Sequence, residues 1–392
     1  GYFPSVALAW RMNEENFLKN VDAISNLKLR LSWGQSGQCA IDPYQTVGLL
    51  GNSTYSFNNE GAYGFYPKTM SNKELTWETT TQYNLGLDFG FFNNRISGSI
   101  DIYKAETRDI LMNRVIPSIN GYASVMENIG KTESTGVDLT LSTVNIQNKN
   151  FSWFSDFSLS HNREKIKELA SGQLKDEANA WFVGEPFKVF YDYKKEGIWQ
   201  LGEEAAAAAN GQEPGDIKVQ DVDGNGVITT DDRIIYSQRP DVTFGFNNTF
   251  NYKGFDLSVF LYARLGQWIA YDYNTTYRIN ALENGGNVDY WTPENPTNAF
   301  PRPNKSKSYT QVTYYSTLKY EDGSFFKIRD ITLGYTFKPE LLKHLNLSRL
   351  RVYATAKNFF TFSKIDNYDP EQGGSISFPM TKQLVFGLNV EF

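Results

Sequence analysis

One cysteine and two histidines are spread over 392 residues. Cys39 alone forms no internal disulfide. With His161 and His344 as the only imidazoles, His-based triads, Cys–His nucleophiles and His-rich zinc sites are poor accounts of the chemistry. Long apolar runs are also missing, since no stretch approaches the roughly 20 residues a membrane helix needs. Positive charge is in short supply: 38 Lys and Arg stand against 44 Asp and Glu, a net charge of −6, which argues against nucleic acid as the main partner. No Pro- or Ser-rich linker divides the chain, although it exceeds the size at which soluble cores usually split into domains. Gly1 is neither an initiator Met nor the start of a signal peptide, so a mature protein or a fragment of something longer is expected.

What is abundant is aromatic surface, 15% of residues, set into strands with period two. Leu384, Phe386, Leu388, Val390 and Phe392 alternate with Val385, Gly387, Asn389 and Glu391 in "QLVFGLNVEF". The same alternation runs through Val6, Leu8 and Trp10; through Leu27, Leu29, Leu31 and Trp33; and through Tyr83, Leu85, Leu87 and Phe89. It returns at Ile96, Ile100 and Ile102 and at Val137, Leu139 and Leu141, with further strands starting near Phe151, Val242, Phe255, Asp330 and Leu350. The count is about eleven, most near the length of about ten residues that spans a bilayer. Ala205–Ala209, behind Glu203 and Glu204, predicts a short loop helix with acids at its positive end.

Connection lengths separate a membrane version of this pattern from a soluble sandwich with decorated loops. Short connections at 11–26, 91–95, 145–150, 252–254 and 337–348 alternate with long ones at about 36–75, 105–131, 162–240, 266–323 and 363–380. Outer-membrane barrels have short periplasmic turns and long extracellular loops. Trp10, Phe91, Phe92, Trp153, Tyr252, Phe255, Phe337 and Phe392 gather at the short-turn ends, as an interfacial aromatic girdle does. The fold class read from this is all-β, a transmembrane antiparallel β-barrel with its apolar face, Phe392 included, against outer-membrane lipid. Charged strand residues of the other face (Asp88, Arg95, Asp101, Asp138, Asp256, Asp330, Arg351 and Lys357) are expected to pair with one another or with a plug.

Longer stretches carry a family resemblance. "WTPENPTNAFPRP" (291–303), "PGDIKVQDVDGNGVITTDDR" (214–233), "GFDLSVFLYARLG" (254–266), "SFFKIRDITLGYTF" (324–337) and "RVYATAKNFFTFS" (351–363), with the opening twenty residues and the terminal strand, resemble the C-terminal half of SusC/RagA-type TonB-dependent transporters. The resemblance implies a barrel of about 22 strands with a plugged lumen, energised by TonB, lidded by a SusD-like surface lipoprotein, and importing oligosaccharides or peptides across the outer membrane of Bacteroidota. Plug, TonB-contacting segment and N-terminal barrel half have no counterpart in these residues. An odd number of strands leaves open edges, which do not survive in lipid; the native assembly is therefore expected to contain the N-terminal half of the same transporter, joined or cut in an extracellular loop. A secreted or surface carbohydrate-binding β-protein is the runner-up and a glycan hydrolase the third reading; a detergent requirement separates the first from both.

Within "DVDGNGVITTDD", Asp221, Asp223 and Asn225 fall at positions 1, 3 and 5 of an EF-hand-like loop, Gly226 at the turn, Val227 at the backbone-carbonyl position 7 and Asp232 at position 12. Hard oxygen ligands at this spacing suit a structural Ca²⁺, with Asp232 a shorter arm than the usual Glu. A Gly-rich turn held by Asx hydrogen bonds is the alternative. Trp181, Trp199, Trp268 and Trp291 are candidate platforms for stacking on substrate sugar rings, or else parts of loop packing. The paired acids Glu203–Glu204 and Asp231–Asp232 are read as solvated loop charges, because glycoside hydrolysis needs carboxylates on opposite sides of a substrate.

Overall fold

The computed structural model describes residues 1–39, 41, 43–44, 46–122, 124–342 and 346–392, with the side chains of Val115, Ser118 and Ser171 also set aside. Lys343, His344 and Leu345, within the expected short connection 337–348, lie outside the described residues. Eleven strands form one sheet in chain order: β1 (Ser5–Arg11), β2 (Ile24–Gln38), β3 (Glu78–Phe91), β4 (Ile96–Arg108), β5 (Lys131–Gln147), β6 (Phe151–Glu168), β7 (Val242–Tyr252), β8 (Phe255–Leu265), β9 (Phe325–Thr336), β10 (Arg349–Ser363) and β11 (Gln383–Glu391). The chain divides into two compact units, residues 1–141 with 160–187 and residues 142–159 with 188–392.

In the first unit β1 to β4 are antiparallel, and register aligns apolar residues into rows: Leu8, Leu31, Leu85 and Ile102 lie side by side, as do Trp10, Leu29, Leu87 and Ile100. In the second unit β7 to β11 repeat the arrangement, with Leu257, Leu333, Ala354 and Phe386 in one row and Val259, Ile331, Ala356 and Leu384 in the next. None of these rows is buried: Leu8, Leu333 and Phe386 are 67%, 52% and 78% accessible, while Leu29, Leu87, Leu257 and Ile331 are half-covered by their neighbours. So wide an apolar exposure on one face, with polar residues on the other, is what a lipid-facing sheet requires and a soluble one avoids.

In the second unit that face carries a polar cluster. Asn248, opposite Val259, accepts hydrogen bonds from Trp153 Nε1 at 3.0 Å and Ser155 Oγ at 2.7 Å, and Ser155 in turn accepts from Asn145 Nδ2 at 2.7 Å. The three strands supply each other's partners at these atoms, which lowers the cost of polar groups on this face.

The opposite face pairs Asp256 with Arg351 and Asp330 with Lys357 as expected and joins Asp88 and Asp101 to the unforeseen Arg30, while Arg95 lies in the turn before its strand; one device is used twice. Arg30 on β2 bonds Asp88 on β3 and reaches across Gly86 to Asp101 on β4, at 2.9 Å; Arg351 on β10 reaches across Gly334 on β9 to Asp256 on β8, with Nε 2.9 Å from Oδ1. A Cβ on Gly86 or Gly334 would lie 2.6 Å from the guanidinium and from the carboxylate it holds, so only glycine leaves the crossing open. Lys357 stands 3.6 Å from Asp330.

The short β7–β8 turn is Lys253–Gly254, both at positive φ (47° and 92°), the type I′ geometry whose twist suits a two-residue hairpin. Two expectations need correcting. Strand β9 begins at Phe325, not near Asp330, because a bulge at Arg329 shifts the alternation: Phe326 and Ile328 share a face with Ile331 and Leu333. Several strands also outrun a membrane span, and β6, at 18 residues, extends about 60 Å.

Beyond the strand ends the long connections have cores of their own. Ile198, Ile217 and Val219 pack with Trp291, Tyr315 and Leu318, joining loop segments a hundred residues apart. Met112, Ile166 and Leu169 form a second cluster in the first unit. Lys327 on β9 is fully buried and sits 2.6 Å from Asp369 and 2.7 Å from Glu371, with Arg329 3.0 Å from the other Glu371 oxygen. The connection after β10 is thereby tied to the strand.

Candidate cation site and loop aromatics

The Asp-rich loop follows the short strand Ile217–Val219 and closes on a 3₁₀ turn, Thr230–Asp232. Gly224 and Gly226, at φ 73° and 84°, let it double back sharply. Asp221 accepts the Gly224 and Gly226 N–H groups at 2.8 and 2.7 Å; Asp223 accepts Asn225 N–H at 3.0 Å; Asn225 Oδ1 accepts Val227 N–H at 2.8 Å. With the Asn225 amide also donating to Asp223 Oδ2 at 2.8 Å, these are the Asx bonds of the turn alternative, and those to Asp221 and Asp223 leave carboxylate lone pairs free.

One oxygen each from Asp221, Asp223 and Asp232 lies within 4.8 Å of the others. The short Asp232 arm is brought in by the 3₁₀ turn, whose capping box bonds Thr229 and Asp232 reciprocally. Asp232 is not a solvated loop charge: it is fully buried, and Val222 and Thr229 donate their N–H groups to its two oxygens at 2.8 and 2.7 Å. The Thr229 N–H bond holds this carboxyl below the usual carboxylate range, against the opposing pull of burial. Three carboxylates so gathered, with Asn225 and the Val227 carbonyl beside them in sequence, fit a hard divalent cation.

The loop is braced from outside. Helix α1 (Glu204–Ala209) forms where the alanine run predicts it, and Asn210 at its end accepts the Ile228 N–H at 3.0 Å, while Ile228 packs on the Trp291 core. Glu203 is held by Lys218 at 2.8 Å, which lowers its pKa, rather than standing free in solvent.

The four tryptophans divide. Trp199 is 7% exposed, with Nε1 donating to Gln212 at 2.8 Å; Trp291 is 4% exposed, with Nε1 donating to Gln200 at 2.8 Å. Their indoles belong to loop packing, where a substrate ring does not reach. Trp268 is half-buried against Tyr236, ring centroids 4.8 Å apart. Trp181, also half-buried, meets Phe187 edge-on at 5.7 Å and lines a cavity with Met112, Asn113, Leu169, Gln173 and Asp176. No local signal marked Gln200, Gln212 or Asn210, because their roles arise from partners brought in by the fold.

Residues 1–359 match the family model described as TonB dependent receptor-like, beta-barrel. The chain is 33% identical over 423 residues to TonB-dependent receptor P26 of Formosa agariphila, covering all of this chain and 42% of that protein. It is 34% identical over 427 residues to TonB-dependent receptor SusC of Bacteroides thetaiotaomicron, covering all of this chain and 40% of that one. Among solved structures it is similar to the RagAB peptide transporter, at TM-score 0.80 and 27% identity, covering all of this chain and 43% of that chain. The chain thus spans less than half the length of the relatives it matches. Members of this family are not enzymes, which removes the hydrolase reading. Alternating lipid-facing rows, one-sided loops and these likenesses agree: the chain belongs to the TonB-dependent receptor family of outer-membrane β-barrels, as the C-terminal part of a SusC/RagA-type barrel.

Proposed function

We propose that this chain is the C-terminal wall and loop set of an importer that carries an oligosaccharide or peptide nutrient across the outer membrane, driven by TonB and lidded by a SusD-like lipoprotein. The observation that carries it is the match of the whole chain, all eleven sheet strands included, to the corresponding part of SusC and of the RagAB transporter. The long connections at about 36–75, 105–131, 162–240, 266–323 and 363–380 are assigned to the extracellular side, where cargo and lid meet them. Asp221, Asp223, Asn225, the Val227 carbonyl and Asp232 are assigned to one Ca²⁺, which orders the loop by binding its folded form.

Purification of the full transporter from its host in mild detergent tests both assignments. The expected outcome is a co-purifying surface lipoprotein, and bound calcium in elemental analysis that is lost in Asp221→Ala/Asp223→Ala with faster protease cutting between Trp199 and Arg239. A transporter isolated without lipoprotein, and without calcium in calcium-containing buffer, contradicts both.

A further inference from the structure

The cavity beside Trp181 is a site with a definite chemical character. Its volume, about 410 Å³, falls within the range of about 300–1,000 Å³ typical of small-ligand sites. Met112 and Leu169, both buried on Ile166, form an apolar floor together with Ile129. Trp181 supplies an aromatic wall whose orientation is set by Phe187. Asn113, Gln173 and Asp176 add polar groups to the lining.

The charges in the lining are already engaged. Arg114 grips Glu127 with two parallel bonds, at 2.8 and 2.6 Å, and Lys175 lies 2.6 Å from Glu177. Asp176 is oriented by the Asn179 N–H at 3.2 Å and the Asn179 amide at 2.8 Å. A charged peptide terminus, or the anionic groups of an acidic glycan, would therefore meet cations that already have carboxylate partners. A neutral pyranose matches the lining better: its C–H face suits an aromatic wall and an aliphatic floor, and its hydroxyls both donate and accept, as amides and a fixed carboxylate require.

We propose that this cavity is a subsite for one or two residues of a neutral oligosaccharide, held by Trp181, Asn113, Gln173 and Asp176. Its meaning as a cargo site rests on the importer reading above, and that reading alone does not select neutral glycan over peptide.

The test uses the full-length transporter in detergent against three immobilised panels: neutral oligosaccharides, acidic oligosaccharides and short peptides. The expected result is binding within the neutral panel, weakened roughly tenfold by Trp181→Ala, the size expected for loss of one aromatic stacking contact. If that variant loses its heat-modifiable folded form, Gln173→Leu at the exposed rim is read in its place and should also weaken binding. No binding in the neutral panel, binding confined to the acidic or peptide panels, or affinity indifferent to the substitution overturns the proposal. Uptake with and without TonB, measured in cells, separates the two readings. TonB-dependent uptake with binding indifferent to Trp181 sinks the subsite alone, and Trp181-dependent binding without TonB-dependent uptake sinks the importer alone.

Discussion

Gly86 and Gly334 show how much one missing side chain does in this sheet. Each lies under an arginine that crosses a whole strand to reach an aspartate two strands away, and each would place a Cβ 2.6 Å from that guanidinium. A methyl group at either position must push the arginine aside, leaving Asp101 or Asp256 without its main partner. Gly334→Ala is expected to destabilise the second unit by roughly 1–3 kcal/mol, read as a lower denaturant midpoint for loss of the folded gel form. Gly334→Ala combined with Arg351→Ala and Asp256→Ala should lose less than the separate changes summed, because the three act as one group. Equal additive losses would show that the glycine serves only backbone freedom.

At the scale of elements, the buried Lys327 ties β9 to the connection after β10. Removing its charge in Lys327→Met leaves Asp369 and Glu371 close together, with Arg329 the one compensating cation among the described residues, at a local cost of about 3–5 kcal/mol. Faster hydrogen exchange and proteolysis across 364–382, with β9 and β10 still protected, is the expected readout; unchanged exchange would mean the connection is held by packing alone. Neither this clamp nor the β9 bulge was legible beforehand. A strand starting near Asp330 was expected, and Arg329 breaks the phase that would have extended it back to Phe325. The clustering of the Asp-rich loop was legible because Asp221, Asp223 and Asp232 are near neighbours in sequence. Trp199 and Trp291 take the loop-packing role weighed for them, but their partners Gln212, Gln200, Tyr315 and Leu318 were not readable, because no local pattern connects them. Strand number and, outside the β9 bulge, the lipid face were readable because period two needs only nearest neighbours.

For the whole molecule, the lipid-facing rows and the opposite polar face must respond differently to the same substitution. Leu333→Arg, in the row with Leu257, Ala354 and Phe386, is expected to cost about 2–4 kcal/mol and lower the amount of protein in the outer membrane, as arginine does near a bilayer midplane. Thr332→Arg, one residue away on the opposite face, should leave membrane levels nearly unchanged. Equal loss for both would argue against an asymmetric, lipid-exposed sheet.

Growth tests energised import most directly. The gene encoding the full-length transporter is deleted from its host, and growth is measured on neutral glycans, acidic glycans and peptides as sole nutrients. Loss of growth on one nutrient class is expected, restored by the wild-type gene but not by a variant lacking its TonB-contacting segment. Unchanged growth on every class, or full rescue by the TonB-uncoupled variant, would contradict it.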